Sequence, residues 1–156
     1  MTVLVSDEHP SSGVDPEHLR QLAEAVLSAE GFAAEAEVSI TLVDDDEMAS
    51  WNSRALGKVG PTDVLSFPVE SLRPGEVPAV VPDGPPLLIG DVVIAPDYVR
   101  RQAGEQGSDA DDEIALMVAH GVLHLLGYDH QNDPEAEVME AREREILAAV
   151  GRTRRW

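Results

Sequence analysis

Apolar residues recur along this chain with two different periods, and the switches between them outline its elements. Thr2 to Val5 reads as a short strand. Leu19, Leu22, Ala23, Val26 and Leu27 then fall three and four apart, which predicts a helix with one buried stripe. Asp15 is placed to cap it, Pro16 is preset for the first helical position, Glu17 faces the dipole, and Gly31 ends it. The period drops to two at Val38, Ile40 and Leu42, which alternate with Ser39 and Thr41 as in a strand with one buried face. Asp44 to Glu47 gathers acids where a first helical turn favours them, ahead of Met48, Trp51 and Ala55. A divalent-cation site is the other reading of that cluster.

Asp63 to Val69 reads as another strand. Residues 70–86 hold Pro74, Pro78, Pro82, Pro85 and Pro86 with two glycines, so they predict a long surface loop, either a lid or a tolerated insertion. Leu87 to Ala95 is the most apolar strand and is expected inside the sheet. Pro96 opens a short helix through Arg101 that fades at Gly104 and Gly107. Ser108 with Asp111 starts a further helix on Ile114, Met117, Val118, Val122 and Leu123. Asp133-Pro134-Glu135 starts the last one, carrying Val138, Met139, Ile146 and Leu147 and ending at Gly151. Strands occupy the first two-thirds and helices cluster in the last third, which predicts an α+β fold with a mixed or antiparallel sheet covered by helices.

Length and composition narrow the function classes. The 156 residues suit a single domain over 1–156, with the loop at 70–86 and a basic tail at 152–156. No apolar run approaches the roughly 18 residues of a membrane span. The first residues lack a basic-then-apolar leader pattern, and a cytoplasmic location is expected. With no Cys, disulfides and thiolate metal sites are excluded. A net charge of −19 argues against a broad basic face for nucleic acid. The positive charge is unevenly spread, however, with Arg142, Arg144, Arg152, Arg154 and Arg155 all near the end.

The densest chemistry lies at Ala119-His120-Gly121-Val122-Leu123-His124-Leu125-Leu126-Gly127-Tyr128-Asp129-His130. His120 and His124 are four apart, so on a helix their imidazoles leave one face a turn apart. Gly127 can take positive φ, end the helix and return the chain so that His130 joins them. Three imidazoles with an open fourth position are the donor set of a catalytic zinc site, one Zn²⁺ per chain. His9 and His18 have no such spacing and read as ordinary surface residues. The spacing is also that of the metzincin peptidases, except that their Glu after the first His, the general base, is here Gly121. Asp129 adjoins a ligand position and is expected to orient a histidine. No residue can be named as proton acceptor.

The same eleven residues from His120 to His130 resemble the signature of the YbeY family of bacterial ribosomal-RNA maturation factors. Pro61-Thr62-Asp63-Val64-Leu65-Ser66-Phe67-Pro68 and Gly90-Asp91-Val92-Val93-Ile94 resemble two further blocks of that family, in the same order. The resemblance covers most of the chain. It implies a small mixed sheet of about four strands packed with helices. It also implies a zinc-dependent endoribonuclease, with ribosomal RNA precursors as substrate and ribosomal subunits or ribosome-associated proteins as partners, and with neither membrane nor DNA involved. One departure is Leu56, where the family carries an Arg; Arg54 and Lys58 are the nearby cations, and the Arg's role is not carried over to either. Two alternatives stay open: a zinc peptidase with its base elsewhere, and a non-catalytic ribosome-assembly factor with a structural metal.

Overall fold

The computed structural model describes residues 1–9, 11–79 and 81–152. Nine elements follow one another in it. They are β1 (Thr2–Asp7), α1 (Pro16–Ala29), β2 (Ala36–Leu42), α2 (Asp45–Leu56), β3 (Val64–Pro68), β4 (Leu87–Ile94), α3 (Pro96–Gln106), α4 (Ala110–Leu125) and α5 (Asp133–Ala149).

The strands form one mixed sheet in the order β1-β2-β4-β3, giving the expected α+β fold. β1, β2 and β4 run parallel, and β3 returns antiparallel against β4. The hydrophobic pattern left mixed and antiparallel sheets open, because neighbours are chosen by packing across the chain and not by strand periodicity. β4 lies inside the sheet, as its apolar run demands. Between β2 and β4 the register shifts at Glu37/Val38, and Gly90 sits at that irregularity with φ 150°. A Cβ there would lie 2.5 Å from Phe67 O and 2.9 Å from Leu125 Cδ2, so only glycine lets β3 and α4 close in.

α1 follows its sequence reading closely: Asp15 accepts from Glu17 N at 3.1 Å, and the stripe from Leu19 to Leu27 is buried. α1 and α4 share one core with the sheet, through Val38, Ile40, Val92, Ile94, Val118 and Val122. α2 covers part of the other face, where Met48 packs with Val43, Leu65, Val93 and Ala95. Asp44 caps α2 through Glu47 N at 2.8 Å, and Asp45 pairs with Arg101, so half the acidic cluster is spent on helix and ion pair.

Two helix boundaries differ from expectation. α3 continues through Gly104 to Gln106 and stops at Gly107, whose φ of 70° ends it. α4 is capped by Asp109, accepting from Asp112 N at 3.0 Å, rather than by Ser108. Residues 70–86 contain no described helix or strand, and Leu72 within them packs against the main core. Among the described residues, no helix is long and apolar enough to cross a membrane. Arg152 binds Asp112 and His18, while residues 153–156 of the basic tail lie outside the described residues.

Candidate active site

α4 carries the site because its two faces do different work. Val118, Val122 and Leu125 face the core, while Glu113, Leu116, Met117, His120 and His124 line a cleft of about 560 Å³. That volume is in the range of about 300–1,000 Å³ usual for ligand clefts. The opposite wall comes from α2, the segment that follows it and β3, with Asn52, Leu56, Lys58, Asp63 and Ser66.

The chain reverses directly after α4. Gly127 takes φ 103°, and a Cβ on it would lie 2.7 Å from Leu72 C and closer still to Leu72 O. The glycine thus serves the turn and also admits the 70–86 loop against it. Among its described residues that loop contributes nothing to the cleft wall, so it braces the turn from behind and is no lid in this structure. Asp129 Oδ1 accepts from His130 N at 2.8 Å. It therefore holds the backbone of the turn, where a contact to a histidine ring was expected. Tyr128 is buried beneath; burial, with the Glu30 carboxylate nearby, pushes its phenol up to about 12, so it stays neutral.

The three histidines do converge. Ring centroids lie 5.2 Å apart for His120 and His130, 5.9 Å for His124 and His130, and 6.2 Å for His120 and His124. Three imidazoles around one tetrahedral ion, with Zn–N of about 2.0–2.1 Å, would stand roughly 5 Å apart. One pair matches that spacing and two are wider. Among the described residues, no three His, Cys, Asp or Glu side chains are closed into a metal-coordinating group.

The hydrogen bonds nevertheless prepare the donor atoms. His120 Nδ1 donates to Glu143 Oε1 at 3.0 Å, and His124 Nδ1 donates to Tyr128 O at 2.6 Å. Carboxylate and carbonyl can only accept, so the neutral rings carry their proton on Nδ1 and keep the Nε2 lone pair for a metal. The donor set fits zinc in its chemistry.

Glu143 escaped the sequence reading, although a signal existed. It is 1% exposed and sits four residues from Met139 and four before Leu147, on the buried stripe of α5. A carboxylate on such a stripe requires a partner. Glu113, 7% exposed, shares the helical face of Met117, His120 and His124 and was missed for the same reason. His9 and His18 lie outside the cleft and are not bare surface groups: His9 Nε2 meets Asp97 at 2.8 Å, and His18 adjoins Arg152.

Gly121 has a structural reason that the peptidase comparison obscured. A Cβ at this position would meet Val92 Cγ1 at 2.7 Å and Val64 Cγ2 at 3.3 Å. Its carbonyl also accepts from Ser66 Oγ at 3.0 Å. The position faces the sheet, and glycine lets α4 and β3 meet. In the Thr62-Asp63 block, Asp63 Oδ1 accepts from Val64 N at 2.7 Å and from Thr62 Oγ1 at 3.3 Å. Near the missing Arg, Arg54 lies over the Trp51 ring at 4.8 Å and does not line the cleft, whereas Leu56 and Lys58 do.

Comparison with known proteins identifies the family of the chain. The profile of the family described as Endoribonuclease YbeY matches residues 5–151. Proteins of that name from Acidothermus cellulolyticus and Thermobifida fusca are 44% and 43% identical; the matches cover 99% and 98% of this chain and 94% and 96% of theirs. One from Moorella thermoacetica is 47% identical over 85% of each chain. The solution structure of TM1509 from Thermotoga maritima is similar in fold, with a TM-score of 0.61 at 24% identity, covering 96% of this chain and 91% of that one. Profile and relatives run almost end to end, so the chain belongs to the endoribonuclease YbeY family.

Proposed function

We propose that this protein is a zinc-dependent endoribonuclease that cleaves single-stranded RNA in the maturation of ribosomal RNA, in the cytoplasm. The nuclease class follows from membership of the family. The observation that carries the zinc reading is the pair of Nδ1 hydrogen bonds, which leaves two Nε2 lone pairs beside a third imidazole in one cleft.

His120, His124 and His130 would hold the ion. When bound, zinc supplies Lewis acidity towards a phosphoryl oxygen and activates water. Glu143 keeps His120 in one tautomer and orientation, and Tyr128 O does the same for His124. The exposed Leu56 and the half-buried Phe67 stand in the cleft wall as apolar groups suited to the bases of an unpaired strand. Such a strand brings its own nucleophile, the 2′-hydroxyl next to each phosphate.

A peptidase is disfavoured by position 121. Glycine there lies in the helix–sheet seam, and any base placed on it would face Val92 instead of the cleft. The test incubates zinc-loaded protein with labelled single-stranded RNA, its 2′-deoxy counterpart and casein, with and without chelator. RNA alone should be cut, and chelator or His120→Ala should abolish the cut. Casein digestion lost with His120→Ala, with RNA intact, would replace the nuclease reading by a peptidase; cleavage of the deoxy strand would reject the internal nucleophile.

A further inference from the structure

The cleft poses an electrostatic problem for a polyanion. Asp63, Glu113 and Glu143 stand in its wall, in a chain of net charge −19. Most described cations are engaged elsewhere. Arg20 pairs with Glu17 and Glu24, Arg100 with Asp97, Arg101 with Asp45, Arg142 with Glu30 and Glu145, and Arg152 with Asp112. Lys58, the sole lysine of the chain, is the one Lys or Arg among the described residues of the cleft wall.

Its backbone is fixed although its side chain is exposed. α2 ends at Gly57, whose φ of 66° turns the chain, and Gly57 N donates to Ser53 O at 2.9 Å. Asn52, only 3% exposed, donates from Nδ2 to Gly60 O at 2.9 Å and pins the other end of the segment. No carboxylate lies within ion-pair reach of Lys58 among the described residues. An unengaged ammonium on a fixed stem, across the cleft from three histidines, is suited to a phosphate.

We propose that Lys58 is the phosphate-contacting residue of the cleft: its ammonium takes a backbone phosphate of single-stranded RNA and sets the strand against the histidine wall. This rests on the endoribonuclease reading. Arg144, exposed on α5 and absent from the cleft wall, makes a matched control because its loss changes net charge equally.

Binding of a fluorescein-labelled, fully 2′-O-methylated single strand is followed by anisotropy across a KCl series for the unsubstituted protein, Lys58→Met, Lys58→Arg and Arg144→Met. One phosphate contact on a single strand contributes about 0.7 to the slope of log K against log salt. Lys58→Met should lower the slope by that amount and weaken binding about 5- to 10-fold at 0.1 M salt, the order expected of one lost charged contact. Lys58→Arg should restore the slope, which a misfolded variant could not do, and Arg144→Met should leave it unchanged. An unaltered slope in Lys58→Met, or an equal fall in both Met variants, overturns the proposal. No binding even by the unsubstituted protein overturns it together with the nuclease reading.

Discussion

Behind His120 stands Glu143, almost wholly buried, and the bond between them is the most consequential single contact of the site. A carboxylate there sharpens the basicity of the ligating nitrogen and prevents the ring from turning over. Outer partners of this kind are worth about 10–100-fold in metal affinity. Glu143→Gln keeps an acceptor oxygen but removes the charge, so zinc affinity should fall by about 10-fold, at the low end of that range. Competition with a chromophoric chelator measures it. Affinity equal to that of the unsubstituted protein would show that Glu143 serves only the packing of α5. Asp129, which adjoins His130 in sequence, is the weaker candidate because it binds the backbone.

Between elements, the seam of α4 against the sheet positions the histidines. Gly121 and Ser66 form that seam, one by lacking a side chain and the other by bonding the Gly121 carbonyl. Val92 is fully buried and β-branched, so its methyls cannot swing clear of an added Cβ. Gly121→Glu would force a carboxylate into this apolar contact and should destabilise the protein by about 3 kcal/mol or more. Urea unfolding tests this, and an unchanged midpoint would mean that the seam opens freely. Gly121→Ala should lose less, because better helix propensity returns about 1 kcal/mol against the clash. Neither variant should gain activity on casein, since position 121 faces away from the cleft wall.

For the whole molecule, zinc should be a stability ligand, because the three imidazoles come together only after α4 and the turn have folded. A ligand at about 100 times its dissociation constant adds about 2.7 kcal/mol to the folded state. For a chain of this size, about 1 kcal/mol moves Tm by roughly 2–4 °C. Zinc-loaded protein should therefore melt roughly 5–10 °C above chelator-treated protein. His130→Ala should melt at one temperature with or without added zinc. An equal shift in that variant would place the ion elsewhere on this acidic surface.

Much of the architecture is local physics and is already determined by the sequence. Helical spacing marks the α1 stripe, two-residue alternation marks β2, a mostly apolar run broken only at Gly90-Asp91 marks β4, and the His120–His124–Gly127–His130 spacing marks the convergence of the rings. Each depends on residues within a few positions of one another, where backbone periodicity alone sets which side chains share a face. Tertiary structure alone decided the parallel pairing of β1, β2 and β4 and the partnership of Glu143 with His120 across 23 positions. It also gave Gly121 and Gly127 their second meaning, since both are needed where Val92 and Leu72 arrive from distant parts of the chain. Close approach between remote segments is governed by packing of the whole core, and no spacing within one segment records it.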